Sequence, residues 1–165
     1  MDQSSPFEEQ LAALLPRLHR FAHALSRDPA DADDLTQATI ERALRSKSQW
    51  QPGTRLDSWA YRIMRNLWID TARARTRKTA REVPEEEGLS VGEDPREAIE
   101  AAVDLKRVMA AMEQLPDEQR EVVALILVEG FGYREVSEML GLPMGTVSSR
   151  LVRGRTALLA MVGER

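Results

Sequence analysis

Ser149, Val152, Arg153 and Thr156 carry side chains suited to direct chemistry with a partner. On a helix, with Thr146 set at zero, they fall in an arc from about 240° to 340°, with Ser148 on its edge at about 200°. Val147, Leu151 and Leu158 fall in a compact arc at about 100–140°, which predicts a buried side. Hydroxyls bond base edges or phosphates, valine touches a thymine methyl, and arginine pairs with guanine. The outward arc therefore suits a DNA major groove. Arg150 and Arg155 lie off it and suit a phosphate or an intramolecular ion pair.

Other constellations offer less. His19 and His23 are four apart on a helix but find no third histidine and no cysteine, so neither a metal nor a cofactor is expected. A glycine-rich phosphate loop ending in Gly-Lys is absent, and no serine has a general base in a credible setting. The chain is therefore not expected to be an enzyme. Trp59 and Trp68 sit at helical spacing and read as core, whereas Trp50 stands in a loop.

Charge points to a polyanion. The total over 165 residues is only −4. Residues 42–81, however, hold eleven basic side chains against Asp57 and Asp70, a net of +9. Residues 82–104 carry −8 and residues 1–41 carry −5. A basic block of this density is the footprint of phosphate binding. Its acidic flanks repel indiscriminate contact with DNA.

Helical elements must position these groups. Leu11, Leu14, Leu15, Leu18, Ala22 and Leu25 recur in three- and four-residue steps and predict one amphipathic helix. Asp28-Pro29-Ala30-Asp31 breaks the chain and starts a second helix, running to about Arg45. After the Pro52-Gly53 loop a third covers about Leu56 to Arg77. Pro84, Gly88, Gly92 and Pro95, set among acids, predict a flexible linker. Helices then cover about Pro95–Gln114 and a stretch from Pro116. Two closely coupled ones follow, at about Tyr133–Leu140 and Met144–Met161. The glycine stop at Gly141, the Pro143 turn and the restart at Thr146-Val147 have the cadence of a helix-turn-helix, with Val136, Leu140, Leu142, Val147 and Leu151 as its seam. Aromatics are 5% of the chain, and nothing favours strands. The expectation is an all-α protein of two small domains, residues 1–80 and 96–165, joined by an acidic linker, 81–95. No apolar run suits a membrane span, and the start lacks a signal-peptide pattern, so the location expected is cytoplasmic.

Three blocks carry a family resemblance: Asp31 through Leu44, Trp59 through Asp70, and Leu115 through Leu151. In that order and spacing the chain resembles an extracytoplasmic-function sigma factor, the smallest type of bacterial primary-family sigma factor. The resemblance implies a sigma region 2 domain and a sigma region 4 domain. It implies that Asp34, Gln37 and Glu41 dock on the clamp of core RNA polymerase. Trp50, Gln51, Gly53 and Thr54 would lie in a loop that catches an unstacked base of the −10 element, and Arg62, Arg65 and Asn66 would hold the neighbouring DNA. Ser148, Ser149, Val152, Arg153 and Arg150 would meet the −35 element. Promoter DNA, core RNA polymerase and an anti-sigma factor are the implied partners, with a role in stress-responsive transcription. Ile40 stands where the family often has an aromatic, and Ser148 where it often has a basic residue; the second change bears on −35 preference. Two rivals stay open. A sigma-like decoy would capture an anti-sigma factor without core polymerase, and a simple helix-turn-helix regulator would bind duplex DNA tightly by itself.

Overall fold

The computed structural model describes residues 6–79 and 100–163, and every element among them is helical. The linker at 81–95 and the expected helix start at Pro95 lie outside the described residues. In chain order the helices are α1 (Pro6–Ala13), α2 (Leu15–Ser26), α3 (Pro29–Arg45), α4 (Leu56–Thr79), α5 (Glu100–Glu113), α6 (Asp117–Val123), α7 (Tyr133–Leu140) and α8 (Met144–Gly163). A 3-10 turn at Lys47–Gln49 precedes the loop before α4, and α6 widens into a π-turn over Ala124–Val128.

The single helix expected over Leu11–Leu25 is two. Pro16 offers no N–H and its ring obstructs the carbonyl one turn back, so the chain breaks at Leu14 and restarts. The leucine period runs through the break because both pieces face one core, with Leu11, Leu14, Leu18, Phe21 and Leu25 all buried. The start of α3 follows the sequence reading: Asp28 accepts a hydrogen bond from the Asp31 N–H at 2.8 Å, and Pro29 fits the first turn. Thr36 and Thr39 are buried on α3, and their hydroxyls donate to the Ala32 and Leu35 carbonyls at 2.7 Å, so neither is orphaned.

In the second half, α6 packs on α8, with Val122, Val123, Val147 and Leu151 all buried. Gly154 permits that approach, since a Cβ there would come within 2.7 Å of a Val123 methyl. Gly141 ends α7 at φ +66°, a conformation that costs other residues strain. The helix-turn-helix expected from the sequence is therefore present as α7 and α8, with Val136, Leu140, Val147 and Leu151 buried in its seam and Leu142 half-buried.

The two halves are not merely tethered. Buried residues from α1 to α4 and from α5 to α8 form one continuous cluster. Tyr61 of α4 joins them: its ring meets Phe21 at 5.0 Å and Phe131 at 5.2 Å, both edge-on.

Candidate nucleic-acid interface

On α8 the outward arc stands as the helical angles predict. Ser149, Val152, Arg153 and Thr156 are exposed, and Ser148 is half-buried at the edge. Val152 is 58% exposed, which leaves its methyls open to a partner. Arg150 turns back toward α6, with its guanidinium 3.6 Å from Glu118.

The expected −10 residues lie on the other half. Gln51, Gly53 and Thr54 are exposed in the loop before α4, where the Thr54 hydroxyl donates to the Gln51 carbonyl at 2.6 Å. Trp50 differs from its neighbours. Its indole packs on Phe7 with centroids 5.5 Å apart, and its Nε1 is buried with no hydrogen-bond partner. Trp59 also packs on Phe7, and Trp68 is half-buried beneath the Arg75 guanidinium. Asn66 is exposed.

Two arginines of α4, and one just ahead of it, are engaged by the second half. Arg65 forks onto Glu121 of α6, with Nε donating at 3.1 Å and the NH2 nitrogen at 3.2 Å. Arg62 donates to the Glu138 carbonyl of α7 at 3.2 Å. Arg55, ahead of α4, pairs with Glu135, whose carboxylate also accepts the Gly132 N–H at the start of α7. Arg55 also forks onto Asp57 at 2.9–3.1 Å.

Glu129 lies at the centre of this seam. Its side chain is 1% exposed and accepts from Arg20 at 2.7 and 3.0 Å, from Arg17 at 3.3 Å and from the Tyr61 hydroxyl at 2.6 Å. Burial, together with that bond to a carboxylate, pushes the Tyr61 hydroxyl far above its ordinary titration range. Burial alone would raise Asp57, but hydrogen bonds from Arg55 and the Ser58 N–H, with the charges of Arg55 and Arg17, hold it below the usual carboxylate value. One cation crosses in the opposite sense. Arg120, 2% exposed, donates to the Ala24 and Leu25 carbonyls at the end of α2, where the helix dipole favours positive charge. Burial pulls its guanidinium below its ordinary value, with the Asp117 carboxylate working against that.

The acidic face of α3 looks outward, with Asp34, Gln37 and Glu41 all exposed and Gln37 donating to Glu41 at 3.3 Å. Gln37 and Glu41 rim an apolar groove of about 350 Å³ floored by Leu15, Thr36 and Ile40. His19, considered above with His23, pairs instead with Asp33 at 2.7 Å. Sequence reasoning missed Glu121, Glu129 and Glu135. Their one visible signal is that each is an acid on or beside a helix of the second half, and nothing in the sequence aims them at α4.

Comparison with known proteins bears on both halves. Residues 11–78 match the model of Sigma-70 region 2, and residues 105–158 match that of Sigma-70 region 4. The wider grouping is thus sigma-70, which corrects the primary-family label expected above. The chain is 33% identical over 165 residues to the ECF RNA polymerase sigma factor EcfG of Rhodopseudomonas palustris, covering 98% of this chain and 88% of that protein. It is 41% identical over 147 residues to the ECF RNA polymerase sigma factor SigE of Mycolicibacterium smegmatis, covering 86% of this chain and only 56% of that longer protein. Among solved structures, it is similar to the sigma factor RpoE of Bartonella quintana in complex with the anti-sigma factor NepR. That match has a TM-score of 0.83 and 27% identity, over 97% of this chain and 98% of that one.

Proposed function

The chain belongs to the extracytoplasmic-function (ECF) RNA polymerase sigma factors, and on that footing we propose that it binds core RNA polymerase and directs transcription initiation at promoters bearing −10 and −35 elements. Residues 1–80 serve as the region 2 domain, 81–95 as the linker and 96–165 as the region 4 domain. Asp34, Gln37 and Glu41 dock on the polymerase. The loop of Trp50, Gln51, Gly53 and Thr54 takes an unstacked −10 base, and Arg62, Arg65 and Asn66 hold the adjoining DNA. Ser148, Ser149, Val152 and Arg153 read the −35 element, with Arg150 beside them.

The observation that carries this reading is the outward Ser149–Val152–Arg153 face of α8, within a chain that matches regions 2 and 4 in order. The groove between α2 and α3, apolar with a polar rim, supports a protein partner at the α3 face. The bond-making chemistry belongs to the polymerase, so the chain itself is no enzyme. Among the described residues no helix is long and apolar enough to cross a membrane, and the protein works in the cytoplasm beside its polymerase. An anti-sigma factor is a further partner, supported by the likeness to a sigma factor solved in complex with one.

Run-off transcription with core RNA polymerase on a library of genomic fragments tests this reading. Promoter-specific transcripts that require the added protein are expected. If no transcript depends on it, the reading is rejected.

A further inference from the structure

The final turns of α4 line a cavity of about 560 Å³, with Trp68, Ile69, Arg73 and Arg77 along one face of the helix and Glu118 and Arg150 among the residues across from them. Five arginines and three acids line it, a net of +2. Each acid is already claimed. Arg65 forks onto Glu121, Arg120 donates to Asp117, and Arg150 stands 3.6 Å from Glu118. The surplus therefore rests on Arg73 and Arg77, which are exposed and make no hydrogen bond or ion pair among the described residues. They stand four apart on one helix, where like charges repel. Beside them lies an indole.

We propose that this cavity binds a purine nucleotide, with its phosphates on Arg73 and Arg77 and its base against Trp68 and Ile69. The volume falls within the usual span of small-molecule sites, which favour boundaries between packed units. Guanidinium groups suit phosphate through their paired N–H donors. A free phosphate would answer the two charges but leave the indole wall uncovered. An apolar lipid tail would cover that wall but leave both arginines unanswered. A nucleotide meets both, with a flat π-face for the tryptophan and a terminal phosphate of about −2 for the arginine pair. Binding here needs neither promoter DNA nor polymerase. Because the walls come from both halves, the bound nucleotide adds to what holds them together.

The test uses the full chain and GDP carrying a methylanthraniloyl fluorophore on its ribose, read by anisotropy. Unlabelled GDP, ADP, guanosine and pyrophosphate serve as competitors. GDP and ADP are expected to displace the probe about tenfold better than guanosine or pyrophosphate. Arg73→Ala/Arg77→Ala should weaken GDP by about tenfold or more. Arg42→Ala/Arg45→Ala makes an equal change in charge at exposed sites on α3 and should stay within about twofold. Glu118→Gln, which removes an acid from the cavity and releases Arg150, should tighten GDP by about two- to threefold. Trp68→Leu should weaken GDP by about fivefold or more while leaving pyrophosphate within about twofold, which tells a lost base contact from a damaged fold. Failure of labelled GDP to bind overturns the proposal. So does pyrophosphate that competes as well as GDP, since that marks an anion patch with no seat for a base. An equal loss in the α3 pair also overturns it, because the attraction is then one of overall charge.

Discussion

Arg62 and Arg65 on α4, with Arg55 just ahead of it, reach oxygens of the other half, whereas on α8 Arg153 looks outward and Arg150 reaches back to Glu118. Both helices carry arginine, and both lie in segments that match the sigma-70 models. The difference comes from what lies across from them. α4 faces the acids of α6 and α7, while α8 packs its apolar side on α6 and leaves its polar side to solvent. A cation placed by helical period is available to a partner only if no nearer carboxylate claims it.

That contrast can be broken most forcefully at Glu129. Glu129→Ala leaves Arg17 and the Tyr61 hydroxyl without their shared acceptor, and the loss is expected to be about 3 kcal/mol in urea unfolding. On the α8 side, Gly154→Ala drives a methyl into Val123. The expected cost is about 2 kcal/mol in the same measurement, with α8 displaced from α6. Arg153→Ala sharpens the contrast without unfolding anything. It should cost about 1–2 kcal/mol at one −35 base pair in a binding competition, whereas Arg73→Ala or Arg77→Ala should weaken binding to every sequence alike and flatten its salt dependence. Acid probes the α4 side through Asp57. Its carboxylate is held below the ordinary value, so its contribution is complete above about pH 4 and is lost as pH falls through the lower folded value. Stability should therefore stay level from neutral pH to about pH 4 and decline below it, and Asp57→Asn should flatten that decline. Smallest of all is Asp31→Asn. It removes the exposed fork to Arg75 at 2.7 Å and should change the unfolding free energy by less than about 1 kcal/mol.

Much of the helical order was legible. The Asp28-Pro29 start and the Gly141 stop are local signals, set by groups within four residues of one another, and the structure places α3 and α7 where they say. The outward arc of α8 was legible for the same reason, because angle along one helix is fixed by the residue period. The Pro16 break shows how a local signal can be overridden in reading: the leucine period continues across it because α1 and α2 share a core. Trp50 was placed in a loop, yet its packing depends on Phe7, more than forty residues earlier. The seam was not legible at all. Arg65 and Glu121 are 56 residues apart, and Arg17 and Glu129 are 112 apart. The strongest acidic block in the sequence lies in residues 82–104, so charge patterning directs attention to the linker and away from the three scattered glutamates that the arginines find.

Tyr61 contributes one wall of a ring socket, and Phe131, from the other half, fills it. Parting the halves is therefore a wetting event as well as a loss of ion pairs. It should carry a positive heat-capacity change, readable by calorimetry during opening. Separation of the halves costs less when an apolar side chain from a partner takes the place of Phe131 against Tyr61.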